Sequence, residues 1–196
     1  MAEPAVQSNR DAKAKDIWVF GYGSLLWNTG FEYLDVQPAR VQGYHRALCV
    51  YSHVYRGSKE KPGLVAGLLA GGSCRGLAFR VAGADWDSVR AYLHEREMIY
   101  DVYVPKWVNA RLGPQLNEIE KVYTFLANPK HTQYAGRLSV AETAQLIRDG
   151  VGTSGTGLDY LTNTVTRLAE LGIRDRALER VLAAVRGTRP CSAARP

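Results

Sequence analysis

Cysteine is scarce. Three thiols in 196 residues, Cys49, Cys74 and Cys191, are too few and too scattered for a disulfide framework, and none stands in a CxxC or Cys/His cluster of zinc-site spacing. Free thiols and no bound metal are expected. No apolar run approaches the roughly 20 residues that a membrane-spanning helix needs. The opening MAEPAVQSNRDAKAKD has neither the basic lead nor the apolar stretch of a signal peptide. A cytoplasmic protein with no membrane partner is expected. The four histidines, His45, His53, His94 and His131, show no metal-binding spacing. No internal repeat and no long low-complexity linker divides the chain.

What is present describes an ordinary domain. With 46% hydrophobic and 22% charged residues, the composition excludes collagen-like, disordered and disulfide-scaffold classes. A folded monomer of this size buries roughly 70% of the surface its unfolded chain exposes, ample for a core without staples. The net charge of +6 invites a nucleic-acid reading, so its location matters. From Arg167 onward seven arginines stand against Glu170, Asp175 and Glu179, so the basicity is mainly C-terminal. These arginines alternate with acids and apolar residues at helical spacing, as on a solvated helix face. With no RNA-binding aromatic signature and no zinc-finger spacing, no nucleic-acid partner is expected.

Residues 1–15 and 188–196 are polar and aperiodic and read as disordered tails around a single domain, 16–187. From Asp16 to Ala127, short β-rich runs are bounded by glycine and proline: IWVF (17–20), ALCVYSHVY (47–55), LVAGLLA (64–70), GLAFRV (76–81) and KVYTFL (121–126). One helix interrupts them, about Trp86 to Met98, preceded by Asp85. After Pro129 the pattern turns helical. Ser139 and Glu142 make a capping box for a helix stopping at Gly150; a second helix runs from about Leu158 to Leu171, before Gly172; a third starts near Asp175 and ends at Gly187. Strands first and helices after, with one helix inserted, predict an α+β fold.

Two places carry chemistry. In IWVFGYGSLLW, Gly21 and Gly23 follow an apolar run and allow consecutive amides to converge on an anion or oxyanion, though a plain turn between strands accounts for a GxG equally. A dinucleotide fingerprint does not fit: Leu26 occupies the third glycine position and no βαβ unit follows. Ser24 lies outside a GxSxG elbow and makes a poor nucleophile candidate. On the helix ADWDSVRAYLHEREM, about 100° per residue places Trp86, Val89, Leu93 and Glu97 on one apolar stripe, with Glu95 opposite. A carboxylate there either pairs with a cation such as Arg96 or faces a cavity where chemistry uses it. Burial would raise its pKa and suit it to act as a general base.

VFGYGSLLW, AYLHEREM, the following YVPKW and the later GTSGTGLDYL together resemble the ChaC-like γ-glutamylcyclotransferases, the glutathione-specific branch, over about Ile17 to Leu171. The resemblance implies a mixed sheet curled into a partly closed β-barrel with flanking helices. It implies cleavage of glutathione to 5-oxoproline and cysteinylglycine with no cofactor. It implies that Val19, Phe20, Gly21, Tyr22, Gly23, Ser24 and Leu25 form the γ-glutamyl-binding loop and that Glu97 is the acid/base. Tyr103 and Tyr160 match tyrosines lining the family pocket, and Arg46 matches a basic strand residue for a substrate carboxylate. The MIYDV segment after Glu97 follows the bacterial-looking form of the motif, without the glycines of some relatives. Two alternatives stay open: the same fold acting on other γ-glutamyl amines, and a non-catalytic protein docking through its basic C-terminal helix with Glu97 in a structural ion pair. Oligomeric state is not legible.

Overall fold

The computed structural model describes residues 14–97 and 101–187, so Cys191 and nearly all of both expected tails lie outside the described residues. Five strands, β1 (Ile17–Gly21), β2 (Asp35–Ser52), β3 (Gly63–Val81), β4 (Tyr103–Leu112) and β5 (Glu118–Ala127), form a closed barrel in the order β1-β3-β2-β4-β5. All neighbours are antiparallel except β1 and β5. These close the ring in parallel through Trp18 opposite Val122 and Val19 opposite Tyr123. The sheet is α+β as expected, and closed where the family resemblance implied a partly closed barrel.

Strand alternation decides the packing. Val19 and Phe20, both buried, enter different clusters: Phe20 packs with Val41, Leu68, Leu112 and Val122, and Val19 with Phe79, Val81, Leu93 and Tyr123. Each such side chain contributes about 1.5–3 kcal/mol by leaving water. The runs LVAGLLA and GLAFRV are one strand, not two. Gly71 and Gly72 adopt φ +96° and +71°, and Gly43 opposite them φ +81°, so the paired strands absorb a bulge at Gln42/Tyr44 and continue. The segment Tyr103–Leu112 is a full strand despite Pro105.

The inserted helix α1 spans Trp86–Glu97 and is entered through a 3₁₀ turn, Gly83–Asp85, with no side-chain cap on that turn. Val89 and Leu93 anchor it to the core, Leu93 with no exposure at all. Truncating Leu93 to alanine would cost about 2–5 kcal/mol and loosen the element that carries Glu97. Beyond the barrel come α2 (Val140–Asp149), the short hairpin β6 (Val151–Gly152) and β7 (Gly155–Thr156), α3 (Gly157–Glu170) and α4 (Arg176–Val185). The Ser139/Glu142 capping box forms, with the Ser139 amide donating to Glu142 at 2.8 Å. A second box, Thr156 with Asp159, starts α3. Asp175 caps α4 by accepting from the Leu178 amide. No helix among the described residues is long and apolar enough to cross a membrane.

Candidate active site

A cavity of about 430 Å³ opens among the loop after β1, the end of β2 with the turn that follows it, the last turn of α1 and the start of α3, with β3, β4, β5 and the β6–β7 hairpin adding further walls. That volume suits a small organic ligand. The loop arrives directly from the barrel. Gly21 ends β1, Gly23 precedes a 3₁₀ turn over Ser24–Leu26, and the Leu26 amide donates back to the Gly23 carbonyl. Ser24 and Leu25 open that turn, so their amides have no carbonyl within it and are candidates to grip an anion. A Cβ on Gly23 would sit 2.9 Å from the Tyr160 hydroxyl, and one on Gly21 2.9 Å from the Leu25 Cβ. Both glycines let the backbone approach what a side chain would block.

Glu97 lines this cavity. Its side chain is 19% exposed and its Oε1 lies 3.2 Å from the Arg96 Nε. The two fates open to it, pairing with a cation and facing a cavity, are therefore realised together. Arg96 spreads its donors over the Ser24 hydroxyl at 2.9 Å, the Asn28 and Thr29 carbonyls and the Tyr92 hydroxyl, so it ties α1 to the glycine loop and holds Glu97 beside it. Burial raises the Glu97 pKa above the ordinary carboxyl value, and Arg96 opposes that shift without cancelling it.

Three tyrosines line the cavity with the carboxyl. Tyr22 donates its hydroxyl to the Phe125 carbonyl at 2.9 Å and Tyr103 donates to the Ala66 carbonyl at 2.7 Å, so both protons are committed. Tyr160 differs: its oxygen accepts the Ala66 amide at 3.1 Å, which leaves its proton to the cavity. Burial pushes the Tyr160 hydroxyl up to about 12, and drives Tyr22 and Tyr103 well above the usual tyrosine value. All three stay protonated at neutral pH.

A family model described as ChaC-like protein matches residues 17–188. The chain belongs to the ChaC-like family. It is 33% identical over 172 residues to a glutathione-specific gamma-glutamylcyclotransferase of Escherichia coli (strain K12), covering 87% of this chain and 73% of that protein. It is 31% identical over 195 residues to the glutathione-specific gamma-glutamylcyclotransferase 1 of Rattus norvegicus, covering 97% of this chain and 88% of that one. A crystal structure of a gamma-glutamyl cyclotransferase specific to glutathione from yeast shares the fold, with TM-score 0.81 and 23% identity over 89% of this chain and 97% of that chain.

In this ChaC-like chain the cavity gathers Phe20, Tyr22, Gly23, Ser24, Leu25, Glu97, Tyr103 and Tyr160. Val19 and Gly21 support the loop from β1 without lining the space. Glu95, which helical spacing puts opposite Glu97, is exposed yet reaches the cavity lining. Arg46 is outside the cavity. Its guanidinium, with the side chain 4% exposed, bonds the Tyr22 carbonyl at 2.6 Å, the Arg75 carbonyl at 2.6 Å and Asp175 at 2.8 Å. It holds the back of the loop and the start of α4 and has no face toward a ligand.

The arginine that does line the cavity is Arg56, in the turn between β2 and β3. Residue patterning gave it no distinction. It shares a turn outside any strand or helix with Lys59 and Lys61, and periodicity carries no information about a turn. Its place is set by the β6–β7 hairpin, which docks on residues 54–56 through the Thr153 amide to the Val54 carbonyl (2.8 Å) and the Ser154 amide to the Tyr55 carbonyl (3.0 Å). A Cβ on Gly152 would lie 2.3 Å from the Val54 carbonyl, so only glycine permits that approach.

Proposed function

We propose that this protein is a glutathione-specific γ-glutamylcyclotransferase of the cytoplasm, releasing 5-oxoproline and cysteinylglycine with Glu97 as its acid/base. The relatives' names support the substrate. One observation carries the chemistry: a carboxyl of raised pKa shares a cavity with a glycine loop whose first-turn amides have no carbonyl within their own turn.

The substrate brings its own nucleophile, so no protein nucleophile is required. Glu97 takes a proton from the α-ammonium, and the freed amine attacks the γ-carbonyl carbon. Charge develops on that oxygen, where the Ser24 and Leu25 amides or the Tyr160 hydroxyl can donate. The bond from the γ-carbon to the cysteine nitrogen then breaks as the protonated Glu97 delivers its proton to the departing amine, and the ring nitrogen gives its second proton to the Glu97 carboxylate so released, from which it passes on to the free amine of cysteinylglycine. A flexible γ-glutamyl chain must be held curled with its nitrogen roughly 3–3.5 Å from the carbonyl carbon, and such positioning removes several kcal/mol of the barrier. The tyrosines and the loop provide the walls for it.

The docking alternative rests on Glu97 being used up in an ion pair and on an unanswered basic helix. Arg96 has four other acceptors, so the pair leaves Glu97 in the cavity. The basic stretch is largely answered by its neighbours: Arg167 pairs with Glu170, Arg174 with Glu179, and Arg186 bonds Thr162. Incubation with reduced glutathione, following 5-oxoproline and cysteinylglycine together, tests the proposal. Equimolar appearance of both is expected; no turnover of any γ-glutamyl compound would sink it.

A further inference from the structure

Arg56 is a nearly buried cation, 8% exposed, that forms no ion pair among the described residues. Its guanidinium donates to the Ser154 and Thr156 carbonyls and lies 5.8 Å from the Trp27 ring centre and 5.7 Å from that of Tyr160. Among the described residues no carboxylate oxygen comes within 4.0 Å of it. Asp159 contributes some attraction, but its Oδ2 is bonded to the Thr156 amide and hydroxyl in the α3 capping box. Two carbonyls and two ring faces fix the plane of the guanidinium without neutralising it. Burying a cation in this way is costly unless an anion completes it, and a planar fork of donors matches a carboxylate.

Glutathione has two carboxylates. One shares a carbon with the attacking amine, so in the proposed reaction it stays beside Glu97 and the glycine loop. Arg96 stands at that end, with donors on Glu97 and the Ser24 hydroxyl. Arg56 stands on a different wall, made by the β2–β3 turn and the β6–β7 hairpin. Resting on the cyclotransferase reading, we propose that Arg56 binds the glycine carboxylate of glutathione, the far end of the leaving group, and so makes this site selective for a γ-glutamyl compound that ends in a carboxylate. Recognition at that end acts on binding remote from the reacting atoms, which helps hold the tripeptide curled for ring closure.

The test compares glutathione with its glycinamide form, identical except for a neutral end, on wild type, Arg56→Gln and Arg56→Lys, reading 5-oxoproline. Wild type should prefer the acid in kcat/KM by about 10- to 100-fold, the worth of hydrogen bonds to a charged group. Arg56→Gln should lose that preference, falling on the acid far more than on the amide, and Arg56→Lys should retain part of it. Because the wild-type comparison needs no variant, misfolding of Arg56→Gln cannot hide the answer. Equal use of acid and amide by wild type overturns the assignment, as does an equal loss on both substrates in Arg56→Gln, which would assign Arg56 to holding the hairpin or the near carboxylate. Absence of 5-oxoproline from both compounds with wild type would instead refute the cyclotransferase reading beneath it.

Discussion

Arg46 and Arg56 lie ten residues apart on the same long hairpin and are almost equally buried, 9% and 8% exposed. Their surroundings differ in kind. Arg46 has two backbone carbonyls and a carboxylate, so its charge is balanced where it sits. Arg56 has two carbonyls and two aromatic faces, and among the described residues no carboxylate within ion-pair distance. A balanced buried ion fastens parts of the chain together, and an unbalanced one at the edge of a cavity waits for a ligand. The family resemblance selected Arg46 for a substrate carboxylate; the structure places Arg46 outside the cavity with its donors engaged and Arg56 on the cavity wall.

The sharpest test of what the cavity does is Glu97→Gln, which keeps the shape and removes the proposed base. It should lower 5-oxoproline release by about 10² to 10⁴, the range of general acid/base assistance, while ligand binding persists in a titration. Arg46→Met should act on the other side of the comparison. Leaving Asp175 and two carbonyls without their cation should cost about 3–5 kcal/mol in urea unfolding, with a smaller effect on turnover by the molecules still folded. A stable Arg46→Met protein that has lost its substrate would erase the distinction between the two arginines. Gly23→Ala places a methyl 2.9 Å from the Tyr160 hydroxyl, which must swing away from the Ala66 amide. A drop of about tenfold in kcat/KM is expected in steady-state assays, with little change in melting temperature.

The smallest effect is in pH. Glu97 has its pKa raised by burial, so the acid limb of activity should lie above the ordinary glutamate range. A raised carboxyl favours folding below its unfolded value, and that contribution is lost as pH climbs through the raised value. Glu97→Gln should therefore melt higher than wild type at neutral pH, and the gap should close as pH falls below the unperturbed value of 4.5. A wild type more stable than Glu97→Gln at pH 7 would mean that the Arg96 pair outweighs the cost of burial.

Much of this was legible from residues alone, and the reasons are local. The Ser139/Glu142 box, the stops at Gly150 and Gly172 and the anomalous place of Glu97 on the α1 stripe all depend on side chains a few positions apart. What escaped depends on distant partners. Strand β4 carries Pro105 and exposes alternate residues, so it lacks the apolar run that marks β1 or β5. The Gly71–Gly72 pair looks like a turn, and only the facing Gly43 makes it a bulge in a continuing strand. Arg56 acquires its meaning from Trp27, Ser154 and Tyr160, which lie 29 residues before it and about a hundred after it.

The cavity's last pieces to leave the ribosome are Ser154 and Tyr160, long after the five barrel strands have emerged. A nascent chain halted at the end of β5 has its glycine loop and Glu97 but neither the hydroxyl that accepts the Ala66 amide nor the carbonyl that steadies Arg56. The site is thus completed only when the helical half of the chain has been made, so the barrel alone does not carry a whole cavity.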